Sequence, residues 1–329
     1  MHAIRLHEYG PAENMRYEDV PDPRPHEGEV LIAVEAAGVH LVDTAVRAGV
    51  ARGPVPLPEL PTIPGREVAG TVGEVGPGAD EDWQGRRVVA HLGPGGSGGY
   101  AALAVAGVDA LHRLPDNVSA ATAVAMIGTG RTAMAILDVA ALTPDDVVLV
   151  TAAAGGLGSL FVQAARRVGA VAVGVAGGPD KVERVRALGA PVAVDYDQPD
   201  WTDQVRRALG DRPVTVVLEG VGGDLGRAAM ELLGVGGRLV MFGWASADGK
   251  PTAVTTEDIV AKGLTVSWAI GPRVAQRPGG VRGLEARALE EAAAGRLTPV
   301  VQTSPLAEAA AAHRALETRG TVGKVVLVP

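Results

Sequence analysis

The rhythm of apolar and polar positions changes near residue 120. Before it, short apolar runs such as Glu29 to Val34 and Arg87 to His91 are separated by Pro and Gly turns, which predicts a β-rich region. After it, apolar runs near Val147, Val171, Val192, Val214, Arg238 and Leu264 alternate with helical patterns near Leu157, Lys181, Trp201, Asp224 and Thr256. Such alternation predicts an α/β fold with a doubly wound, six-stranded parallel sheet of the Rossmann type, in which ligands bind outside the carboxyl ends of the strands. Beyond Gly271 the pattern gives a helix at Glu285 to Ala294, another near Leu306 to Leu316, and a last strand from Lys324 to Val328. The Gly/Pro-rich stretch Gly93 to Gly99 reads as a surface loop.

The most informative stretch runs from Asp145 to Arg166. Val147 to Val150 form an unbroken branched run, as a strand covered on both faces requires. The small residues Ala152 to Gly156 permit a tight turn, and Leu157, Leu160, Phe161 and Ala164 then recur at helical spacing. A strand feeding a helix through a small-residue turn makes an anion site, because the first helical N–H groups lack partners and the helix dipole is positive there. The spacing Ala153-x-Gly155-x-x-Gly158 is a dinucleotide fingerprint whose first glycine has become alanine. Gly155 lets a pyrophosphate approach the backbone, and Gly158 lets the helix pack close to its strand.

Length and composition narrow the picture. A chain of 329 residues is long for one core, so two domains are expected. With 47% hydrophobic residues and a net charge of −8, it reads as a soluble globular protein without a dedicated nucleic-acid surface. The absence of cysteine excludes disulfides, thiolate chemistry and a cysteine-bound zinc lobe. Lysine occurs only at Lys181, Lys250, Lys262 and Lys324, so a lysine inside a motif carries weight. The N-terminus, with scattered charges and no apolar core, does not read as a signal peptide, and a cytoplasmic enzyme is expected.

Asp145-Asp146, Leu149, Ala153-Ala154-Gly155-Gly156, Gly158, Gln163 and Arg166 resemble the signature of the quinone oxidoreductase and zeta-crystallin branch of the medium-chain dehydrogenase/reductase superfamily. The resemblance runs over nearly the whole chain. It implies a β-rich GroES-like catalytic domain of residues 1–119 and 270–329, a nucleotide-binding domain of residues 120–269, and an active cleft between them.

It also implies the cofactor contacts. Ala154, Gly155, Gly156, Leu157 and Gly158 would face the pyrophosphate. The second strand ends in Gly177 and Gly178, small and neutral where an NAD site carries an acid, and Lys181 follows. Relatives place the matching lysine, a tyrosine at Tyr196 and an arginine at Arg319 around a 2′-phosphate, so NADPH is expected. The other reading makes Lys181 an ordinary solvated residue and Asp180 a helix cap. Thr132 lies in a segment near the cofactor. Gly220, Phe242-Gly243 and Ser267-Trp268 match segments after the fourth, fifth and sixth strands, the last two holding the nicotinamide end. Leu41 and Lys324 complete the implied set.

Gly65-Arg66-Glu67-Val68-Ala69-Gly70-Thr71-Val72 resembles the superfamily's Gly-His-Glu-x-x-Gly-x-Val, whose histidine binds catalytic zinc. Arg66 has no lone pair to offer, and a second ligand position falls on His40, so no metal is expected. Without a Lewis acid, hydride from NADPH must go to an acceptor that is already electron-poor. His40, Asp43 and Arg47 fall in the family's cleft segment. His40 reads either as the donor that protonates the reduced oxygen, since imidazole titrates near neutral pH, or as a histidine hydrogen-bonded in the wall. Ala45 and Ala51 replace frequent tyrosines, which predicts a wider, less polar pocket. The expected activity is metal-free NADPH:quinone oxidoreduction. Alternatives are an NADPH-dependent enone or enoyl (alkenal) reductase, and an NADPH-binding protein with a structural or RNA-binding role. A homodimer is expected, with Leu264 to Trp268 as a candidate sheet edge and neither nucleic acid nor membrane as partner.

Overall fold

The computed structural model describes every residue except 52–55, 94–97, 247, 248, 272, 273, 275, 277 and 278. The chain forms two compact units, Met1–Thr129 with Ala288–Pro329, and Gly130–Arg287. Of the expected loop Gly93 to Gly99, residues 94–97 lie outside the described residues; Gly98 and Gly99 donate to the backbone oxygens of Ile63 and Gly65.

The first unit opens with an antiparallel pair, β1 (His2–Leu6) and β2 (Met15–Asp19). Its main sheet contains β3 (Glu29–Val39), β4 (Glu67–Val75), β5 (Arg87–His91), β6 (Leu103–Gly107), β7 (Leu111–Arg113), β14 (Val301–Pro305) and β15 (Lys324–Val328). The order is β14-β15-β3-β4-β5-β7, with β6 also paired to β3. Along β3, buried positions alternate with outward ones as far as Glu35, which marks a half-covered strand. Its last four residues, Ala36 to Val39, are all buried. Ile4, Val30, Ile32, Val68, Tyr100 and Leu327 lie in the core of this unit. Helix α1 (Leu41–Arg47) follows β3 at once, and α10 (Ala309–Glu317) fills the return from β14 to β15.

The second unit holds β8 (Val147–Val150), β9 (Val171–Ala176), β10 (Val192–Asp195), β11 (Val214–Glu219), β12 (Leu233–Met241) and β13 (Thr265–Trp268). Their order is β10-β9-β8-β11-β12-β13 and every pair is parallel. This is the doubly wound order with its switch point between the first and fourth strands of the unit. All four residues of β8 are buried, as its apolar run predicts for a central strand. Leu149, Val173, Val217 and Leu239 form the core with Trp201, Val205 and Met230 from the helices. The candidate edge strand β13 does lie at the end of the sheet.

Helix α2 (Ala120–Ala125) continues through a π-helical turn, Met126–Gly130, into α3 (Arg131–Ala140). By length and composition this segment could cross a bilayer, but 72% of its apolar window is buried inside the protein, so it is a core helix.

Candidate active site

In the first unit, strand register creates the site. Val39 pairs with Val325 on one side of β3, and Ala37 pairs with Val68 on the other. The end of β3 therefore lies between the starts of β15 and β4, which brings together His40, Lys324 and Glu67. Lys324 Nζ donates to Glu67 Oε2 at 3.0 Å and stands 2.7 Å from His40 Nε2. His40 Nε2 is also 2.6 Å from Glu67 Oε1. The side chains of Glu67 and Lys324 are 0% and 4% exposed, and that of His40 is 25% exposed.

Two glycines make room for the buried carboxylate. A Cβ on Gly38 would collide with Glu67 Oε2 and come within 2.8 Å of Val124 Cγ1. A Cβ on Gly128, in the π-helical turn, would collide with Glu67 Oε1 and lie 3.2 Å from His40 Nε2. Burial alone would raise the Glu67 carboxyl, but the neighbouring charges of His40 and Lys324 outweigh it and hold the group well below its ordinary range. Burial pushes the Lys324 ammonium below its ordinary value, against the pull of Glu67.

Asp43, at the start of α1, serves a second cluster. Its Oδ2 accepts the His40 backbone N–H at 2.8 Å and its Oδ1 pairs with Arg66 Nη2 at 3.0 Å. The fully buried Tyr100 donates to Asp43 Oδ2 at 3.3 Å and lies 3.2 Å from His313 Nε2. Burial, reinforced by Asp43, raises the Tyr100 phenol well above its ordinary value. Burial lowers His313 to about 4, so its ring is neutral in the folded chain. Arg47 pairs with Glu317 and donates to Thr44 O, while its buried Nε and Nη1 have no hydrogen-bond partner. Leu41 is exposed on α1, and Arg319 follows α10 in the left-handed region with φ 57°.

In the second unit, β8 ends in a turn of small residues. The left-handed conformation falls on Ala152, with φ 48°, rather than on a glycine. The Ala153 N–H donates to Val175 O at 3.0 Å, tying the turn to β9, and Gly155 N–H donates to Ala152 O at 2.9 Å. Helix α4 (Gly156–Arg167) then starts with Gly155 as its N-cap and no side-chain cap, which leaves its first-turn N–H groups without side-chain partners. A Cβ on Gly158 would lie 2.7 Å from Ala153 Cα and collide with Ala152 O, so only glycine allows this closeness. Ala154, Gly155, Gly156 and Leu157 line the same turn.

At the end of β9, Gly178 adopts φ 85° and donates to Asp195 Oδ1 at 2.8 Å; Asp197 N–H donates to the same oxygen at 3.0 Å. Those N–H groups outweigh the effect of burial and lower the Asp195 carboxyl. A Cβ on Gly177 would lie 3.0 Å from Tyr196 Cε2, which places Tyr196 against the glycine pair. Lys181 lies in the first turn of α5 (Pro179–Ala187), and Thr132 in that of α3. Gly220 and Phe242 are in contact, since a Cβ on Gly220 would lie 2.8 Å from Phe242 Cζ, and Phe242 packs edge-on against Phe161 at 5.3 Å. Gly243 backs onto Gly220 O. Ser267 and Trp268 belong to β13, where the Trp268 ring packs on Trp244 at 5.1 Å.

Residues 156–282 match a family model described as zinc-binding dehydrogenase, and residues 26–116 match the alcohol dehydrogenase GroES-like domain. A 2-haloacrylate reductase from Burkholderia sp is 32% identical over 339 residues, covering 99% of this chain and 98% of the relative. A quinone oxidoreductase from Sus scrofa is 30% identical over 334 residues, covering 100% and 98%. The solved structure of Escherichia coli quinone oxidoreductase complexed with NADPH shares a TM-score of 0.85 at 27% identity, covering all of both chains. A GroES-like unit joined to a doubly wound sheet defines a two-domain oxidoreductase. The chain belongs to the medium-chain dehydrogenase/reductase superfamily, with quinone oxidoreductases among its full-length relatives.

The family model's description implies zinc, and the residues present do not fit one. The ammonium of Lys324 stands against His40 Nε2, Arg66 replaces a lone pair with a guanidinium, and that guanidinium is paired to Asp43. Among the described residues, no group of three or more His, Cys, Asp or Glu side chains could hold a metal ion.

The sequence reading missed Glu67, Tyr100 and His313. Glu67 alone carried a signal, as the acid of the motif that begins Gly65-Arg66-Glu67, where no role was given to it.

Proposed function

We propose that this chain is an NADPH-dependent, metal-independent oxidoreductase that reduces a quinone. The observation that carries the reading is the turn after β8, where the helix starts without a side-chain cap and Gly158 lets it pack against Ala152 and Ala153, an arrangement suited to an anion. The NADPH complex of the Escherichia coli relative supports the cofactor. Lys181, in the first turn of the helix after Gly177 and Gly178, would supply a cation for a 2′-phosphate, and Tyr196 against Gly177 an aromatic face. Phe242, Gly243, Ser267 and Trp268, with Gly220 and Thr132, would hold the nicotinamide end.

Bound NADPH supplies the hydride. On this chain, His40 holds the proton for the reduced oxygen, and its ring is the one partly exposed member of an otherwise buried trio with Glu67 and Lys324. Asp43 and Arg47 are positioning groups. Asp43 fixes the His40 backbone from the start of α1, and Arg47 ties α1 to Glu317 on α10. We place the enzyme in the cytoplasm as a homodimer pairing its β13 edges, with neither nucleic acid nor membrane as partner.

Reduction of an electron-poor C=C bond is the second reading, favoured by the 2-haloacrylate reductase relative at full-length coverage. Both chemistries build charge on an oxygen, but quinone reduction ends with a proton on that oxygen and C=C reduction with a proton on the α-carbon. Steady-state oxidation of NADPH by 1,4-benzoquinone and phenanthrenequinone, set against 2-alkenals and 2-haloacrylate, separates them. A kcat/KM at least tenfold higher for quinones supports the first reading, and the reverse order supports the second. Tight NADPH binding with no turnover across the panel overturns both.

A further inference from the structure

We propose that Glu219 is a positioning residue for the nicotinamide end of the cofactor, its buried carboxylate tying the turn after β11 to the segment that follows β12. The inference deepens the NADPH reading and rests on it.

The strand β11 ends its apolar run in Glu219, whose side chain is 0% exposed. A carboxylate so placed needs donors around it. Its Oε1 accepts the Val221 N–H at 2.6 Å and the Gly222 N–H at 2.8 Å, and its Oε2 accepts the hydroxyl of the buried Thr252 at 2.9 Å. Two glycines permit this. Gly222 turns the chain at φ 78°, in the left-handed region, just before helix α7 (Gly223–Glu231). A Cβ on Gly226, in the first turn of α7, would lie 3.0 Å from Glu219 Cδ and collide with the Thr252 hydroxyl. The carboxylate therefore lies at the positive end of α7, which favours its charge.

The same few residues carry the segment after β12. Glu219 O accepts the Phe242 N–H at 2.9 Å, Gly220 O accepts the Ala245 N–H at 3.1 Å, and Val221 O accepts the Ser246 N–H at 2.6 Å. Gly223 N–H donates to Lys250 O at 2.9 Å, and the Thr252 hydroxyl on Glu219 closes the far end. Residues 219–223 thus form a template on which the chain after Met241 is laid, at the carboxyl ends of the strands, where a doubly wound sheet binds its ligand. Gly220, Phe242 and Gly243, read above as holding the nicotinamide, all belong to this tie. An apolar side chain would fill the place of Glu219 without burying a charge. What the carboxylate adds is the orientation of two loops. Without it, the Val221 and Gly222 N–H groups lose their acceptor, the turn shifts, and Phe242, packed on Gly220, shifts with it. Being fully buried, Glu219 acts through these loops and touches neither cofactor nor substrate.

The test uses the full chain, as wild type, Glu219→Ala, Glu219→Gln and Thr252→Val. Four quantities are measured with the preferred acceptor: kcat, the deuterium isotope effect with NADPH labelled at the transferred hydrogen, and the dissociation constants of NADPH and of adenosine 2′,5′-bisphosphate, which lacks the nicotinamide half. A misplaced nicotinamide should lower kcat in Glu219→Ala by about tenfold to a hundredfold. Thr252→Val, which removes one hydroxyl at nearly constant shape, should lose at least about threefold. The isotope effect on kcat should rise in both, because hydride transfer then limits turnover. Adenosine 2′,5′-bisphosphate should bind within about twofold of the wild type. Glu219→Gln keeps an oxygen for the two N–H groups and should lose less than Glu219→Ala. Equal weakening of NADPH and the bisphosphate, a loss in Glu219→Gln as large as in Glu219→Ala, or a wild-type kcat and isotope effect in Thr252→Val overturns the inference. If Glu219→Ala does not fold, Thr252→Val decides alone. A wild-type chain that binds no NADPH overturns the cofactor reading and this inference together, whereas a wild type that binds and oxidises NADPH, with variants that match it, overturns the inference only.

Discussion

Gly128 lies so close to Glu67 that even a methyl group on it would overlap the carboxylate. Gly128→Ala must therefore displace either the π-helical turn or the Glu67–Lys324 pair. Overpacking of this kind costs about 1–3 kcal/mol. We expect the urea midpoint to fall by that equivalent, together with a loss in kcat. An alanine variant with unaltered stability and turnover would mean that the turn yields freely.

Gly158→Ala tests the cofactor turn. Its new Cβ would press on Ala153 Cα and Ala152 O, forcing α4 away from β8. The N–H groups at the helix start would move with it. A fluorescence titration should show NADPH affinity reduced at least about tenfold, equivalent to 1.4 kcal/mol. Binding at wild-type strength would remove that turn from the cofactor site.

Lys181→Ala tests the choice of nucleotide. A charge-assisted hydrogen bond to a phosphate contributes about 1.5–3 kcal/mol. We expect kcat/KM with NADPH to fall about tenfold to a hundredfold, with no change for NADH. Equal losses with both nucleotides would assign Lys181 to general stability.

His313 predicts an acid-dependent loss of stability. In the folded chain its value is about 4, below the ordinary 6.5, because burial disfavours the charged ring. The unfolded chain thus binds a proton between pH 6.5 and 4 that the folded chain refuses, so stability falls as pH drops through this window. The full contribution is on the order of 3 kcal/mol. His313→Gln should flatten the difference in urea midpoints between pH 7 and pH 4.5, and a slope equal to that of the wild type would contradict the assignment.

The doubly wound sheet was legible because buried parallel strands declare themselves as runs such as Val147 to Val150. Where the strands were underestimated, the residues were small. β3 runs on through Ala36, Ala37 and Gly38, and β12 begins at Leu233 within a glycine-rich stretch, so neither extension carries a branched apolar signal. The small-residue turn after β8 was legible as a local motif, although the left-handed position fell on Ala152. The His40 cluster was not, because it depends on pairing β3 with a strand whose Lys324 lies 284 residues after His40. Lys324, which the resemblance implies at the cofactor, meets Glu67 through that register. Periodicity tells which face a residue takes, and says nothing about its neighbour on a distant strand.

The place of β15 between β14 and β3 governs the order of assembly during synthesis. The segment Gly130–Arg287 can complete its six strands as it leaves the ribosome. The earlier residues Met1–Thr129 must wait with the Ala37–Val39 end of β3 lacking one partner until Lys324–Val328 emerges. The half of the protein made first is therefore finished last, and the strand that closes its sheet also delivers the lysine.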